Sequence, residues 1–264
     1  MSMRVLESIK ARATNYKAAH FEHFPEGKQM KKLKDIHKGR RCVIVGNGPS
    51  LRAEDLDVLQ RNGEITFAFN RVYHIFDQTQ WRPTYYVSQD QKMLAGCRAE
   101  VEGIPAKIKF IPAEMDWYED IHISGIQPFH IVNRNIGEYP DFSEDIAKCI
   151  VNSKTVVYSA MQIAVYMGIR EIYLIGVDHH FHTSINDKGE IVVDPTAKDY
   201  FCEGYNADKD QLYIPNTDQS TLTFLAAKRY ADAHGIKIYN ATRGGKLEVF
   251  PRVDFDSVFQ NISF

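Results

Sequence analysis

Cys42-Val43-Ile44-Val45-Gly46-Asn47-Gly48-Pro49-Ser50-Leu51 is the stretch whose reading decides the fold. Cys42 to Val45 form an unbroken apolar run, as expected of a buried strand. Two glycines and a proline then stop the strand, and Ser50 is placed to cap a following helix. A buried strand that passes through a Gly-rich turn into a helix is how an α/β sheet offers backbone N–H groups to a phosphate. The spacing is G-x-G-P-S rather than G-x-G-x-x-G, and the Lys of a Walker A loop is missing. The turn therefore points to a nucleotide or phosphate without naming a common cofactor. The plainer reading, glycines in an ordinary βα turn, stands beside it.

The totals narrow the class. The chain has 264 residues, 44% hydrophobic and 25% charged, which suits one large α/β domain or one domain with attachments. The formal net charge of −2 disfavours a nucleic-acid partner. No apolar run approaches the roughly 20 residues that span a bilayer, and the first residues lack the apolar core of a signal peptide. Cys42, Cys97, Cys149 and Cys202 are scattered without a C-x-x-C pair, as reduced thiols of a cytoplasmic protein would be. Residues 1–40 read as a helical, basic arm. Val5, Ile9 and Ala13 give 1–16 an apolar helical stripe, and Lys28, Lys31, Lys32, Lys34, Lys38, Arg40 and Arg41 follow as a cationic stretch. Such a stretch is first a solvated face. Its functional reading is an oligomer arm or a peripheral contact with an anionic glycan or membrane surface.

Residues 41–264 are expected to form a single Rossmann-like domain, a mostly parallel sheet with helices on both faces. Beyond the opening run, strands are expected at 65–69, 83–87, 106–111, 169–177 and 236–240. Helices are expected at 52–59, at 155–168 and at 219–234. The second of these is apolar all round, as in a helix buried against a sheet. Residues 113–150 are weakly patterned and read as an irregular or partly helical insertion. A lid is expected over about 179–215, because a loop of that length in a compact domain is more often functional than a spacer. The tail at 253–259 reads as a short strand or helix.

The residues at the expected strand ends are Asn47, Asn70, Arg71, Ser88, Asp90, Asp178, His179, His180, Asn240 and Arg243. In open α/β sheets these positions face the ligand crevice. The set is rich in uncharged hydrogen-bonding groups, which suit a nucleotide or a sugar. Asp178, His180 and His182 alternate along an extended segment, in which a metal site, an acid–base pair and a structural polar loop are all legible. No second ligand cluster accompanies them, so no metal is expected. Arg243-Gly244-Gly245-Lys246 reads as a second phosphate clamp or as a turn with solvated charges.

The combination of Val45-Gly46-Asn47-Gly48-Pro49-Ser50-Leu51, Phe69-Asn70, Tyr158-Ser159 and Gly168 through Asp178 resembles the family named for 6-hydroxymethylpterin diphosphokinase MptE. The same order is similar to the bacterial sialyltransferases of glycosyltransferase family 42. The resemblance implies a glycosyltransferase acting in surface-glycan or protein glycosylation on a nucleotide-activated sugar, CMP-linked in the sialyltransferases. Its donor site maps to Gly46, Asn47, Gly48, Pro49, Ser50, Asn70, Ser88, Ser159 and Asn216, and Arg243 joins them from the reading of its own turn as a phosphate clamp. The catalytic candidates are His180, His182, Asp178, Asp90 and Tyr213. Tyr213 stands where the resemblance places a catalytic His, and Ser88 where it places a second ligand-binding Asn. A tyrosine, with an ordinary pKa of about 10, is a poor base near neutral pH. The expected partners are a nucleotide-sugar donor and a glycan acceptor, with a homo-oligomer as a further expectation and no cofactor. Two alternatives remain open. One is a Mg2+- and ATP-dependent pyrophosphokinase with Asp90 and Asp178 as metal ligands, and the other a non-catalytic nucleotide-binding domain.

Overall fold

Seven strands form one sheet in which every pairing is parallel. The computed structural model describes residues 3–185, 191–193, 198–202, 205 and 217–260. The strands are β1 (Arg41–Val45), β2 (Ile65–Phe69), β3 (Tyr85–Val87), β4 (Ile108–Pro112), β5 (Gln127–Phe129), β6 (Glu171–Ile175) and β7 (Lys237–Asn240), and the helices among the described residues are α1 (Met3–Ala19), α2 (Pro25–Lys31), α3 (Ala53–Arg61), α4 (Gln91–Gly96), α5 (Arg98–Gly103), α6 (Glu114–Tyr118), α7 (Val156–Tyr166), α8 (Thr217–Ala233) and α9 (Phe255–Phe259). Their order across the sheet is β7-β6-β1-β2-β3-β4-β5. The chain runs outward from β1 to β5, then crosses back to lay β6 on the other side of β1. The reversal makes the C-terminal ends of β1 and β6 the topological switch point, where open α/β sheets bind ligands.

Strand side chains alternate between two apolar layers. Cys42, Ile44, Phe67, Phe69, Tyr85, Val87 and Phe110 belong to one layer, with α7 (Val156–Tyr166) and α8 (Thr217–Ala233). Val43, Val45, Ala68, Tyr86 and Ile111 belong to the other, with Leu56 and Leu59 of α3 (Ala53–Arg61) and Leu94 of α4 (Gln91–Gly96). The expected doubly covered Rossmann-like sheet is present. α7 starts where its cap dictates, the Thr155 hydroxyl accepting from the Val157 N–H at 3.3 Å. It is buried from Val157 to Tyr166. Its one amide, Gln162, is fully buried because it accepts from the N–H groups of Ser143 and Val151 and donates to the Val151 carbonyl.

Three expectations change. The stretch 113–150 contains β5, a seventh strand at the sheet edge, where Pro128 is tolerated. The arm does not extend to residue 40, since Phe21 and Met30 are at most 1% exposed and pack into the body. α1 (Met3–Ala19) meets the body through its last turn, where Lys17 pairs with Glu26 at 2.7 Å, while Ile9 and Ala13 of its apolar stripe are exposed, as are Lys28, Lys32, Lys34, Lys38 and Arg40. Ser50 does not cap α3, whose N-cap position holds Arg52 with no side-chain bond. The tail is helical, α9 (Phe255–Phe259), capped by Asp254. Among the described residues no helix is long and apolar enough to cross a membrane.

Candidate functional site

A cleft of ≈ 590 Å³ opens at the switch point. Its walls come from the ends of β1 (Gly46, Asn47, Gly48), β2 (Asn70, Arg71), β3 (Gln89, Asp90) and β6 (Asp178 to Phe181). The first turns of α7 and α8 face it, and Asp199, Tyr200 and Tyr205 close one side. Helix N-termini carry partial positive charge, and Lys154 beside α7 and Arg71 add cations, so the cleft suits a ligand with an anionic group.

The glycine turn lines the cleft through Gly46, Asn47 and Gly48 and also joins two turns of the switch point. Gly46 N–H donates to the Ile175 carbonyl and Gly48 N–H to the Gly176 carbonyl, each at 2.8 Å. Leu51 N–H donates to Gly48 O. The Ser50 hydroxyl donates to Asp178 Oδ2 at 2.7 Å, and its N–H points to the same oxygen at 3.4 Å. A Cβ on Gly46 would collide with the Gly176 carbonyl, and one on Gly48 with the Asp178 carboxylate. The glycines thus let two turns of the switch point lock together. The Gly46 and Gly48 N–H groups are engaged inside the protein, and a carboxylate lies against Gly48. Pro49 is exposed and, like Ser50, does not line the cleft. Burial pushes the Asp178 carboxyl up from its ordinary value, with the two Ser50 bonds pulling it down.

Asn47 and Asn70 are held for use. Asn47 Nδ2 donates to the Phe69 carbonyl at 3.1 Å and to the Tyr205 hydroxyl at 2.8 Å. Its Oδ1 is buried with no hydrogen-bond partner among the described residues. Asn70 sits at φ 47°, a left-handed conformation that Asn tolerates better than most residues. Ser88 is fully buried and donates to Asn70 Oδ1 at 2.9 Å, and Ser159, also fully buried, donates to Gln89 Oε1 at 2.6 Å. Ser88 and Ser159 stand behind the cleft wall and position Asn70 and Gln89. Gln89 Nε2 donates in turn to Asn152 Oδ1 at 3.2 Å. Gln89, Asn152 and Lys154 line the cleft without having been singled out in the sequence. Gln89 was flagged only by its neighbours Ser88 and Asp90. Asp90 lines the cleft and caps α4 by accepting from Met93 N–H at 3.0 Å, and burial pushes its carboxyl up.

The segment after β6 carries three imidazoles. His179, at φ 53°, shares a 2.8 Å hydrogen bond between its Nε2 and Thr221 Oγ1. The Thr221 hydroxyl already donates to the Thr217 carbonyl, so Nε2 carries the proton. Burial lowers the pKa of this ring. His180 lines the cleft, with its Nε2 3.5 Å from Lys246 Nζ. The His180 and His182 rings meet edge to face at 4.7 Å. His182 Nδ1 lies 2.7 Å from Asp199 Oδ1.

Arg243 is a correction. It does not line the cleft, and its guanidinium is bound through Nε and Nη2 to Asp55, at 2.8 and 2.9 Å, and through Nη1 to Asp256 at 3.0 Å. It ties β7 to α3 and α9 and is not available as a phosphate clamp. Tyr213 and Asn216 lie outside the described residues. Among the described residues no group of three or more His, Cys, Asp or Glu could hold a metal ion. Asp90 and Asp178 both line the cleft.

Tyr205 completes the wall. It is 4% exposed, its hydroxyl accepts from Asn47 Nδ2 and Arg71 N–H, and its carbonyl accepts from Arg71 Nη1 at 2.7 Å. Tyr200 stacks on it at 4.0 Å and 7°.

No curated protein matches the chain. Among solved structures it aligns with the MAf glycosyltransferase from Magnetospirillum magneticum AMB-1 at a TM-score of 0.48 and 16% identity, over 88% of this chain and 38% of that one. The chain therefore spans little more than a third of that protein. It also aligns with the sialyltransferase CstII from Campylobacter jejuni, solved in complex with the substrate analogue cytidine-5'-monophosphate, at a TM-score of 0.45 and 14% identity. That alignment covers 82% of this chain and 85% of the other. Residues 18–184 match the family described as 6-hydroxymethylpterin diphosphokinase MptE-like. That stretch runs from the buried Phe21 through β6 to the three imidazoles, well over half of the sequence, and the chain belongs to the MptE-like family.

Proposed function

We propose that the chain transfers a glycosyl group from a nucleotide-activated sugar to a glycan hydroxyl. The observation that carries this reading is the composition of one cleft. The fixed amides of Asn47, Gln89 and Asn152 and the imidazoles of His179 and His180 line one cleft with the first turns of α7 and α8. The amides suit the base and ribose of a nucleotide, the helix N-termini and Lys154 suit its phosphate, and an imidazole suits removal of a proton from an acceptor hydroxyl. The motif resemblance makes CMP-linked sugars the first donors to test. Calorimetry against CMP, UMP and GDP, with hydrolysis assays on their sugar conjugates, is expected to give binding and slow turnover of one donor class. The absence of both binding and hydrolysis for all of them would refute the reading. Binding with no turnover in the presence of varied glycan acceptors would favour a non-catalytic nucleotide-binding domain.

The family match and the two cleft carboxylates favour a second reading, Mg2+-dependent pyrophosphoryl transfer from ATP. The engaged N–H groups of the β1 turn weigh against it, since a triphosphate is ordinarily held by such groups. Tight ATP binding that appears only with Mg2+ would select this alternative.

A further inference from the structure

Asp199 is the least expected part of the cleft. Its side chain is 3% exposed, and it lines the cleft from the far side. One oxygen, Oδ1, accepts from the backbone N–H of His182 at 3.0 Å and meets His182 Nδ1 at 2.7 Å. The other, Oδ2, is buried and has no hydrogen-bond partner among the described residues. A buried carboxylate oxygen without a donor is costly, and such groups persist where a ligand supplies the missing bond.

We propose that Asp199 is the positioning carboxylate of an acceptor-activating dyad, with His182 as the general base and Oδ2 left open for a second hydroxyl of the acceptor. The double grip on His182, through ring and backbone, fixes both the place of the imidazole and its tautomer. With the proton held on Nδ1 by the carboxylate, Nε2 is left as the acceptor. The His182 side chain is half exposed beside His180 and Asp199 of the cleft lining, so the ring is reachable from outside, while the supporting carboxylate is buried. His180 packs against the edge of this ring at the cleft wall, and Lys246 lies beyond it. In the transfer step the acceptor O–H bond breaks and its proton moves to His182 Nε2. The acceptor oxygen forms the new bond to the anomeric carbon. The bond from that carbon to the phosphate oxygen breaks, and the nucleotide leaves with the electron pair. The imidazolium, stabilised by Asp199, then returns its proton to solvent.

The proposal rests on the glycosyl-transfer reading, and its test separates the two. Asp199→Asn keeps the shape of the side chain but not its charge. In proton NMR of the full chain, the wild type is expected to show a downfield imidazole N–H signal from the His–carboxylate bond. The signal should be missing in both Asp199→Asn and His182→Gln. With the nucleotide sugar that the wild type hydrolyses, Asp199→Asn is expected to lower kcat about 10- to 100-fold with the nucleotide Kd unchanged. His182→Ala is expected to lose about 10²–10⁴-fold, in part restored by added imidazole, a rescue that a merely structural role would not show. Absence of the downfield signal, or an Asp199→Asn kcat within twofold of wild type, overturns the dyad. A signal that behaves as expected in a protein that turns over no nucleotide sugar overturns the transfer reading instead, and with it the catalytic role.

Discussion

The Ser50 hydroxyl donates to the Asp178 carboxylate at 2.7 Å and so joins the turn after β1 to the turn after β6 across the switch point. The same bond occupies the Ser50 hydroxyl, which caps no helix, while the Gly46 and Gly48 N–H groups donate to the Ile175 and Gly176 carbonyls. It also places a half-buried acid at the floor of the cleft.

That acid should leave a mark on stability. Burial pushes the Asp178 carboxyl up from its ordinary 3.8, and Asp90 shifts the same way for the same reason. A carboxyl raised in the folded state binds its proton more tightly folded than unfolded. Stability is therefore lost as pH rises through the window that starts near 3.8 and ends at the folded-state value. Asp178→Asn cannot titrate and is expected to flatten that part of the curve. Urea midpoints taken between about pH 3.5 and 6 would read it, and equal slopes for variant and wild type would sink the argument.

The two glycines of the β1 turn should differ in tolerance. A Cβ on Gly46 would press directly on the backbone carbonyl of Gly176, whereas one on Gly48 would meet the Asp178 carboxylate first and the same carbonyl at 2.8 Å. Gly46→Ala is expected to cost more than Gly48→Ala, each in the range of about 1–3 kcal/mol or above for overpacking. Gly48→Ala should lose less when combined with Asp178→Ala. Thermal unfolding of the set is the measurement, and a Gly48→Ala loss that exceeds the Gly46→Ala loss contradicts it.

Asn47 and Tyr205 should separate binding from stability. Asn47 Oδ1 is an unpartnered acceptor at the cleft, so Asn47→Ala is expected to weaken nucleotide binding about 2- to 10-fold, the weight of one hydrogen bond. Tyr205→Phe retains the stack on Tyr200 but releases Asn47 Nδ2 and the Arg71 N–H. It is expected to cost about 0.5–1.5 kcal/mol of stability and to affect binding less than Asn47→Ala. Calorimetry with CMP alongside urea titration distinguishes them, and the reverse ranking would show that Asn47 does not meet the ligand.

Arg243 should be structural only. Its partner Asp55 has a 7% exposed side chain, so Arg243→Ala strands a nearly buried carboxylate. A loss of about 1–3 kcal/mol is expected, with nucleotide affinity unchanged once the variant is folded. A stable variant with weakened binding would restore the phosphate-clamp reading.

The sequence by itself determined the elements whose signal is local. The apolar run of β1, the Thr155 cap with the apolar α7 behind it, and the alternation of strands and helices are each written in consecutive residues. Periodicity and capping act over a few positions, so these were legible, and so were Asn47, Asn70, Asp90, Asp178 and His180 at strand ends. β5 was not, because three residues that include a proline carry no strand pattern and are held by β4 alone. Tertiary structure decided everything that depends on distant partners. Ser50 meets an acid 128 positions away, Arg243 one 188 positions away, and Asp199 grips His182 from a segment without periodicity. A polar side chain gives no sign in sequence of whether it will face a ligand or pair inside the fold. That choice is made by the desolvation each group would suffer unpaired, and only the packed sheet sets which partner is near enough to relieve it.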